Sequence, residues 1–191
     1  DRAAWFDFSA VQGPGQYVIR NARTGESSVP FAIAEDVYRE VLIAATRMYY
    51  YQRSGFPQAP PYADPRWTDA PAFLGPGQDT EARCVDDKDN AALARDMRGG
   101  WFDAGDTNKY VTFASHPIHE LLAAYTQNPA IWTDDFNIPE SGNQIPDLLD
   151  EIRYELDWFQ RMQASDGGVF IKLGTLDHHE ARLPSRDRRP R

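Results

Sequence analysis

Three amphipathic helix patterns, set far apart along the chain, are the feature that most constrains its fold. Apolar residues recur in each at the three- and four-residue spacing of one helix face, as Val37, Val41, Ala45 and Met48, then Ile118, Leu121, Leu122 and Tyr125, then Ile145, Leu148, Leu149, Ile152, Leu156 and Phe159. These stripes predict helices over residues 35–52, 115–127 and 145–163. Pro117 and Pro146 fall in the first turns of the second and third predicted helices, where proline is tolerated.

A proline- and glycine-rich stretch, residues 55–100, separates the first two helices. Its prolines remove backbone donors and exclude long regular elements, so it is predicted to be mostly loop. A loop of this length in a compact domain is usually functional or disordered. Helices joined by long loops favour a helical array over a β–α–β protein.

The first 34 residues have a different pattern, which predicts short strands at residues 5–8, 17–19 and 29–33. Three short strands leave an apolar face and two edges exposed, and they make a poor independent domain. We therefore divide the chain into residues 1–34, the last strands of a β-sandwich, and residues 35–191, a helical domain.

Charge and composition exclude several classes of function. Lys and Arg number 20 against 29 Asp and Glu, a net charge of −9, which disfavours nucleic acid and anionic membrane surfaces as partners. No apolar run approaches the length of a membrane-spanning helix. The single cysteine, Cys84, excludes an internal disulfide. The arginine-rich residues 182–191 are interpreted as a solvated loop rather than an interaction segment.

The stretch with the clearest chemistry is residues 99–106, which read Gly-Gly-Trp-Phe-Asp-Ala-Gly-Asp. Small residues between Asp103 and Asp106 let the backbone turn tightly, so that both acids can point at one water and take its proton. A helix follows, and its positive end favours ionised carboxylates. The alternative is a simple turn in which one of these acids only bonds nearby backbone.

Several separated motifs, in order, resemble glycoside hydrolase family 9, whose members are mainly cellulases. Besides residues 99–106, the chain has Ile-Pro-Glu-Ser-Gly-Asn at 138–143, Pro-Asp-Leu-Leu-Asp-Glu at 146–151, Leu-Asp-Trp at 156–158 and Met-Gln at 162–163. The residues before the first helix also resemble the immunoglobulin-like leader of this family. The matching points there are Asp7, Phe8, Ser9, Gly15, Tyr17, Phe31 and Ile33, with Gln52, Arg53 and Gly55 just beyond.

The resemblance implies a mainly α fold, the first helices of an (α/α)₆ barrel, preceded by the last strands of an immunoglobulin-like sandwich. It also implies cleavage of β-1,4-glucans with inversion. Carried onto this sequence, it makes Asp106 the general base and Asp103 the residue that orients the water. Exposed aromatic rings stack on sugars, and Trp67, in the proline-rich loop, is the candidate for binding the β-glucan.

The general acid of this family is a Glu much further along the catalytic domain, and no Glu here matches its motif. Glu140 and Glu151 belong to the early helix motifs and are not assigned to that role. The 191 residues are therefore expected to be one piece of a secreted hydrolase, inactive alone, with the remainder of the catalytic domain as a partner. An inverting enzyme needs a base and an acid about 6.5–9.5 Å apart.

No cofactor is required by this reaction, although calcium is possible in the complete enzyme. Family members with the leader often hold zinc, but Ser54 and Val85 stand where ligands are expected, so the zinc site is predicted to be lost. Cys84 is then an ordinary, partly buried thiol. Histidines and an acidic run are interpreted as non-ligands: His116, His119, His178, His179, and residues 86–90.

Two other functions stay open at this point. An exo-β-glucosaminidase would share the fold, and the residues that separate it from a glucanase lie mostly beyond this chain. A non-catalytic carbohydrate-binding fragment would keep the aromatic residues but would not need both Asp103 and Asp106.

Overall fold

The computed structural model describes residues 5–175, in which helices and two small sheets are joined by long loops. The helices are α1 (Arg39–Gln52), α2 (Val111–Gln127) and α3 (Asp147–Met162). The strands are β1 (Gly15–Tyr17), β2 (Phe31–Ile33), β3 (Lys109–Tyr110) and β4 (Lys172–Leu173). The described part is thus mixed rather than mainly α, with helices as its largest elements. No helix within residues 5–175 is long and apolar enough to cross a membrane.

All three predicted helices are present, and their ends differ for local reasons. The bounds of α3 lie close to the prediction because its apolar stripe is the strongest of the three. Helix α1 begins at Arg39, and residues 35–38 form a turn before it. The predicted start of α2 at Ser115 is wrong, since α2 begins at Val111 and Pro117 lies inside it rather than in its first turn.

The chain divides into two compact units, one ending at Ala44 and one beginning at Ala45. In the first unit, β1 and β2 pair antiparallel, with Tyr17 opposite Phe31. Residues 5–8 do not form the predicted strand. Aromatic residues favour strands only where a neighbouring strand supplies backbone partners. The immunoglobulin-like interpretation and the boundary at residue 34 stay predictions.

The second unit is built around α3, which buries Leu148, Ile152, Trp158 and Met162. Trp158 and Met162 pack with Leu173 of β4 and with two residues of the long loop, Ala82 and Met97. Strands β3 and β4 pair antiparallel, with Lys109 opposite Leu173 and Tyr110 opposite Lys172. The loop prediction for residues 55–100 is confirmed, since this stretch contains only short 3₁₀ turns and isolated bridges.

Candidate active site

The segment that carries Asp103 and Asp106, residues 99–110, crosses the surface of the second unit and leads directly into α2. Its start is fixed by backbone bonds, since Phe102 N–H donates to the carbonyl of Gln52 at 2.8 Å. Its end is β3, paired with β4. Asp103 is exposed and Asp106 is half-buried, so both acids are accessible to a ligand.

One buried residue, Asn108, bonds to both acids of this segment. Its backbone N–H donates to Oδ1 of Asp106 at 3.2 Å and its Nδ2 donates to Oδ2 at 3.1 Å. Its carbonyl accepts the N–H of Asp103 at 2.9 Å. A simple turn would account for the hydrogen bond from the Asn108 backbone N–H to Asp106. The hydrogen bond from the Asn108 side-chain amide goes beyond a turn, because it holds the second carboxylate oxygen as well.

The charge of Asp106 acts on the carboxyl group of Asp103. Partial burial, and then the charge of Asp106, raise the pKa of Asp103. The same acids act on Tyr110, whose pKa is raised first by burial and then by Asp106 and Asp103. A charge on Asp106 therefore disfavours a second charge on Asp103, and the Tyr110 hydroxyl stays a hydrogen-bond donor. Such a pair can hold one water and accept its proton.

The approach to the acids depends on glycine at position 100. Its φ is +77°, in the left-handed region that favours glycine. A Cβ there would also lie 2.6 Å from the indole of Trp158 in α3. The backbone of the segment therefore rests directly on the Trp158 ring, which explains the paired glycines before Trp101.

Trp101 joins the segment to buried groups below it. The backbone N–H of Trp101 donates to Oε2 of Glu155 at 2.5 Å. The backbone of Trp101 also forms an isolated β-bridge with Arg53, just after the end of α1. Its ring lies 4.6 Å from that of Tyr49, centroid to centroid. The aspartates thus follow a residue fixed from both α1 and α3.

Arg53 is the centre of a buried ion cluster, with only 1% of its surface exposed. Its guanidinium bonds both oxygens of Glu140 at 2.9 Å, and both oxygens of Glu151 at 3.1 and 3.0 Å. Its Cζ lies 4.5 Å from the centroid of the Tyr154 ring. Burial opposes its charge, but these two carboxylates raise the pKa of Arg53 above its ordinary value. The cluster therefore links α3 to the end of α1 and supports the fold.

Burial raises the pKa of two acids of α3. It raises the pKa of Glu151 to about 7, although Arg53 opposes the shift. It raises the pKa of Glu155 to about 8, opposed by the Trp101 N–H and the charge of Lys109. Both side chains are fully buried and contact the fold rather than solvent.

A second buried cation, Lys109, fixes the far end of the segment. Its Nζ donates to Oδ2 of Asp79 at 2.7 Å and to the carbonyl of Gly99 at 2.5 Å. It also lies 5.3 Å from the centroid of the Trp158 ring. Lys109 therefore ties the end of the segment to its beginning and to the long loop.

The aromatic candidates divide by exposure. Trp67 ends the 3₁₀ turn Pro65–Trp67 and is 65% exposed, as sugar stacking requires. In contrast, Tyr50, Trp101 and Trp132 are buried and serve packing. The structure gives no contact between Trp67 and the aspartates, so its role stays a prediction.

The metal candidates do not converge. Cys84 is exposed, not partly buried as predicted, because it precedes a surface 3₁₀ turn. Within residues 5–175 no group of three or more His, Cys, Asp or Glu side chains is placed to hold a metal. His178, His179 and the arginines of residues 182–191 lie outside the described residues.

Four supporting residues were not identified from the sequence: Arg53, Asn108, Lys109 and Glu155. Arg53 bonds to Glu140, 87 positions away, and Glu155 bonds to Trp101, 54 positions away. No local pattern in the sequence reveals contacts at such separations. A charged residue inside an apolar helix stripe was a usable signal for Glu155, because such a residue needs a buried partner.

Comparison with known proteins identifies the family of this chain. The model of the family described as glycosyl hydrolase family 9 matches residues 38–191. A xyloglucan-specific endo-β-1,4-glucanase of Bacteroides ovatus is 35% identical over 88% of this chain and 28% of its own length. A cellulose 1,4-β-cellobiosidase of Acetivibrio thermocellus is 32% identical over 100% of this chain and 25% of its own.

Among solved structures, a metagenome-derived family 9 endoglucanase superposes with a TM-score of 0.70 and 41% identity, covering 88% of this chain and 30% of that one. The chain belongs to glycosyl hydrolase family 9. It spans less than a third of the length of the curated relatives compared above.

Proposed function

We propose that the protein containing this chain is a secreted glucanase that hydrolyses β-1,4-glucosidic bonds with inversion. The observation that carries the proposal is the geometry of Asp103 and Asp106, two accessible acids on a segment anchored by buried bonds. Family membership supports the reaction class, and relatives named as glucanases and a cellobiosidase support a β-glucan substrate.

In the proposed mechanism Asp106 is the general base. As the water oxygen bonds to the anomeric carbon, Asp106 accepts a water proton, and the bond from that carbon to the leaving oxygen breaks. Asp103 holds the same water in line. A carboxylic acid outside these residues, in the remainder of the catalytic domain, donates the proton to the leaving oxygen. The new hydroxyl arrives opposite the leaving group, so a β linkage gives an α product.

Burial supports this division of labour among the acids. Glu151 and Glu155 are fully buried, and Glu140 bonds to Arg53, so all three support the fold. Asp103 and Asp106, in contrast, are accessible and lie on an anchored backbone. Trp67 adds an exposed ring on which a glucose unit of the polysaccharide can stack.

The proposed chemistry uses carboxyl groups and water and requires no cofactor. The zinc that leader-bearing family members often hold does not fit the residues at the corresponding positions. Ser54 is buried, and its hydroxyl bonds to Asp79, which also accepts from Lys109. Cys84 is exposed. Elemental analysis should therefore find the same zinc content in the wild-type protein and in Cys84→Ser, with no stoichiometric zinc in either. Calcium elsewhere in the complete enzyme stays a proposal.

The test is Asp106→Ala in the full-length protein, with Asp157→Ala, an exposed acid on α3, as the control. In Asp106→Ala, turnover should fall by about 10²–10⁴-fold, the range of general-base catalysis, while binding of the glucan and the unfolding temperature stay close to wild type. Asp157→Ala should keep the turnover of wild type. Azide should restore the rate by entering the space of the lost carboxylate, and NMR should identify an α-glycosyl azide. Near-normal turnover of folded Asp106→Ala, or a β-azide product, would overturn the proposal.

A further inference from the structure

Asn108 bonds to both proposed catalytic acids, to the carboxylate of Asp106 and to the backbone N–H of Asp103, and none of its surface is exposed. Two of its donors reach the two oxygens of Asp106 separately, at 3.2 and 3.1 Å. A carboxylate held through one oxygen can still rotate about its last bond. Held through both, its plane is set, and each oxygen keeps a lone-pair position for water.

The Asn108 side chain is itself confined by β4. The register that pairs Lys109 with Leu173 puts Gly174 opposite Asn108. A Cβ on Gly174 would lie 1.8 Å from Oδ1 of Asn108, so the amide fills the space that the glycine leaves. Lys109, the next residue, is fixed by Asp79 and Gly99. The Asn108 amide is therefore closely packed against Gly174, with Nδ2 toward Asp106.

We infer that Asn108 is the positioning residue of the general base. Its side-chain amide sets the plane of the Asp106 carboxylate, and its backbone carbonyl holds the backbone of Asp103 in place. This inference rests on the proposed function, because it assigns Asn108 a role through Asp106. A hydrogen bond of this kind acts on turnover rather than on substrate affinity, since it aims the water at the anomeric carbon.

The experiment compares Asn108→Ala with Asn143→Ala in the full-length enzyme. Asn143 is a matched control, because its Nδ2 donates to Oδ2 of Asp150 at 3.0 Å, another partly buried amide–carboxylate bond. Asn108→Ala should lower kcat by about 10- to 100-fold with little change in KM, and Asn143→Ala should leave kcat close to wild type. If Asn108→Ala does not fold, the isosteric Asn108→Asp replaces the donor by an acceptor and should lower kcat at least as far.

A second background separates positioning from general damage. In Asp106→Ala supplied with azide, the reaction no longer uses the carboxylate, so adding Asn108→Ala should leave the azide-supported rate unchanged. An equal loss in both backgrounds, or a kcat of Asn108→Ala matching that of Asn143→Ala, would overturn the inference. If Asp106→Ala alone keeps normal turnover, it is the proposed function that fails, and the two failures are therefore distinct.

Discussion

Two sets of acids lie close together in the second unit and have opposite surroundings. Asp103 and Asp106 lie on the surface segment, where backbone and amide donors hold them within reach of solvent. Glu151 and Glu155 lie inside α3, fully buried against Arg53 and the Trp101 N–H. Burial raises the pKa values of this buried pair to about 7 and about 8.

This difference shows that a strongly displaced pKa is not by itself a sign of catalysis. Burial raises the pKa of any acid, whether or not a substrate reaches it. Here Glu151 and Glu155, with pKa values displaced to about 7 and about 8, bond to the fold, and the proposed catalytic acids are accessible to solvent. The comparison predicts that substitutions in α3 change stability, whereas substitutions in the segment change turnover.

The largest expected effect follows from removing the cation of the buried cluster. Arg53→Met leaves Glu140 and Glu151 without their shared partner, and breaking a buried pair on one side costs about 3–5 kcal/mol. Urea unfolding of the full-length protein measures this loss. A cost below about 1 kcal/mol, in the range of surface pairs, would show that the cluster does not support the fold.

Asp103→Asn should lower turnover without destabilising the protein. The amide still occupies the site but no longer accepts the water's second hydrogen bond as an anion, so kcat should fall by about tenfold or more, less than for Asp106→Ala. Steady-state kinetics and a thermal unfolding scan make the check. A drop in unfolding temperature as large as that of Arg53→Met would erase the contrast between the two sets of acids.

The pH dependence of stability should reveal Glu155. Its folded pKa of about 8 lies above the ordinary value, 4.5, so the folded state binds the extra proton. The stabilisation is complete below the ordinary value and is lost as pH rises through about 8. Glu155→Gln keeps an acceptor for the Trp101 N–H and should flatten this decline, with a higher unfolding temperature than wild type at pH 8 and a similar one at pH 4.5. Parallel curves would contradict the assignment.

The smallest effect is expected at Trp67, away from both sets of acids. Trp67→Ala should raise KM for a long glucan by about 2- to 10-fold, the worth of one stacking contact, and leave kcat nearly unchanged. Short soluble substrates provide the control, because they need not reach this ring. Equal kinetics on both substrates would remove Trp67 from the binding surface.

The helices were predictable because their signal is local. The stripe of α3 repeats at helical spacing, and the predicted bounds, residues 145–163, enclose the observed Asp147–Met162. The start of α2 was missed because Val111, Thr112 and Phe113 are strand-forming residues, and because Pro117 was taken as an initiator. A helix tolerates one internal proline when neighbouring contacts compensate for the lost bond.

The aspartate segment was a candidate from the sequence, through its spacing and the family resemblance, but its anchors were not predicted. The pair Asp103 and Asp106 is visible in the sequence, together with the glycines that precede it. The partners of Arg53 lie 87 and 98 positions away, and Asn108 faces Gly174 only because β3 and β4 pair. Such contacts depend on how elements meet, which periodicity does not specify.

The contact from Lys109 to the carbonyl of Gly99 makes residues 99–109 a ring closed without a covalent bond. Lengthening a closed loop costs little, since each doubling adds only about 0.6 kcal/mol of closure entropy. Insertions at its tip, beside Ala104 and Gly105, should therefore be tolerated by the fold even where they displace the acids. Removing the Lys109 ammonium would open this closure without freeing the segment, because the Phe102 N–H still bonds to Gln52 at its start and β3 still pairs with β4 at its end. The ammonium group therefore sets how tightly the loop is closed, while backbone bonds keep its two ends attached to the second unit.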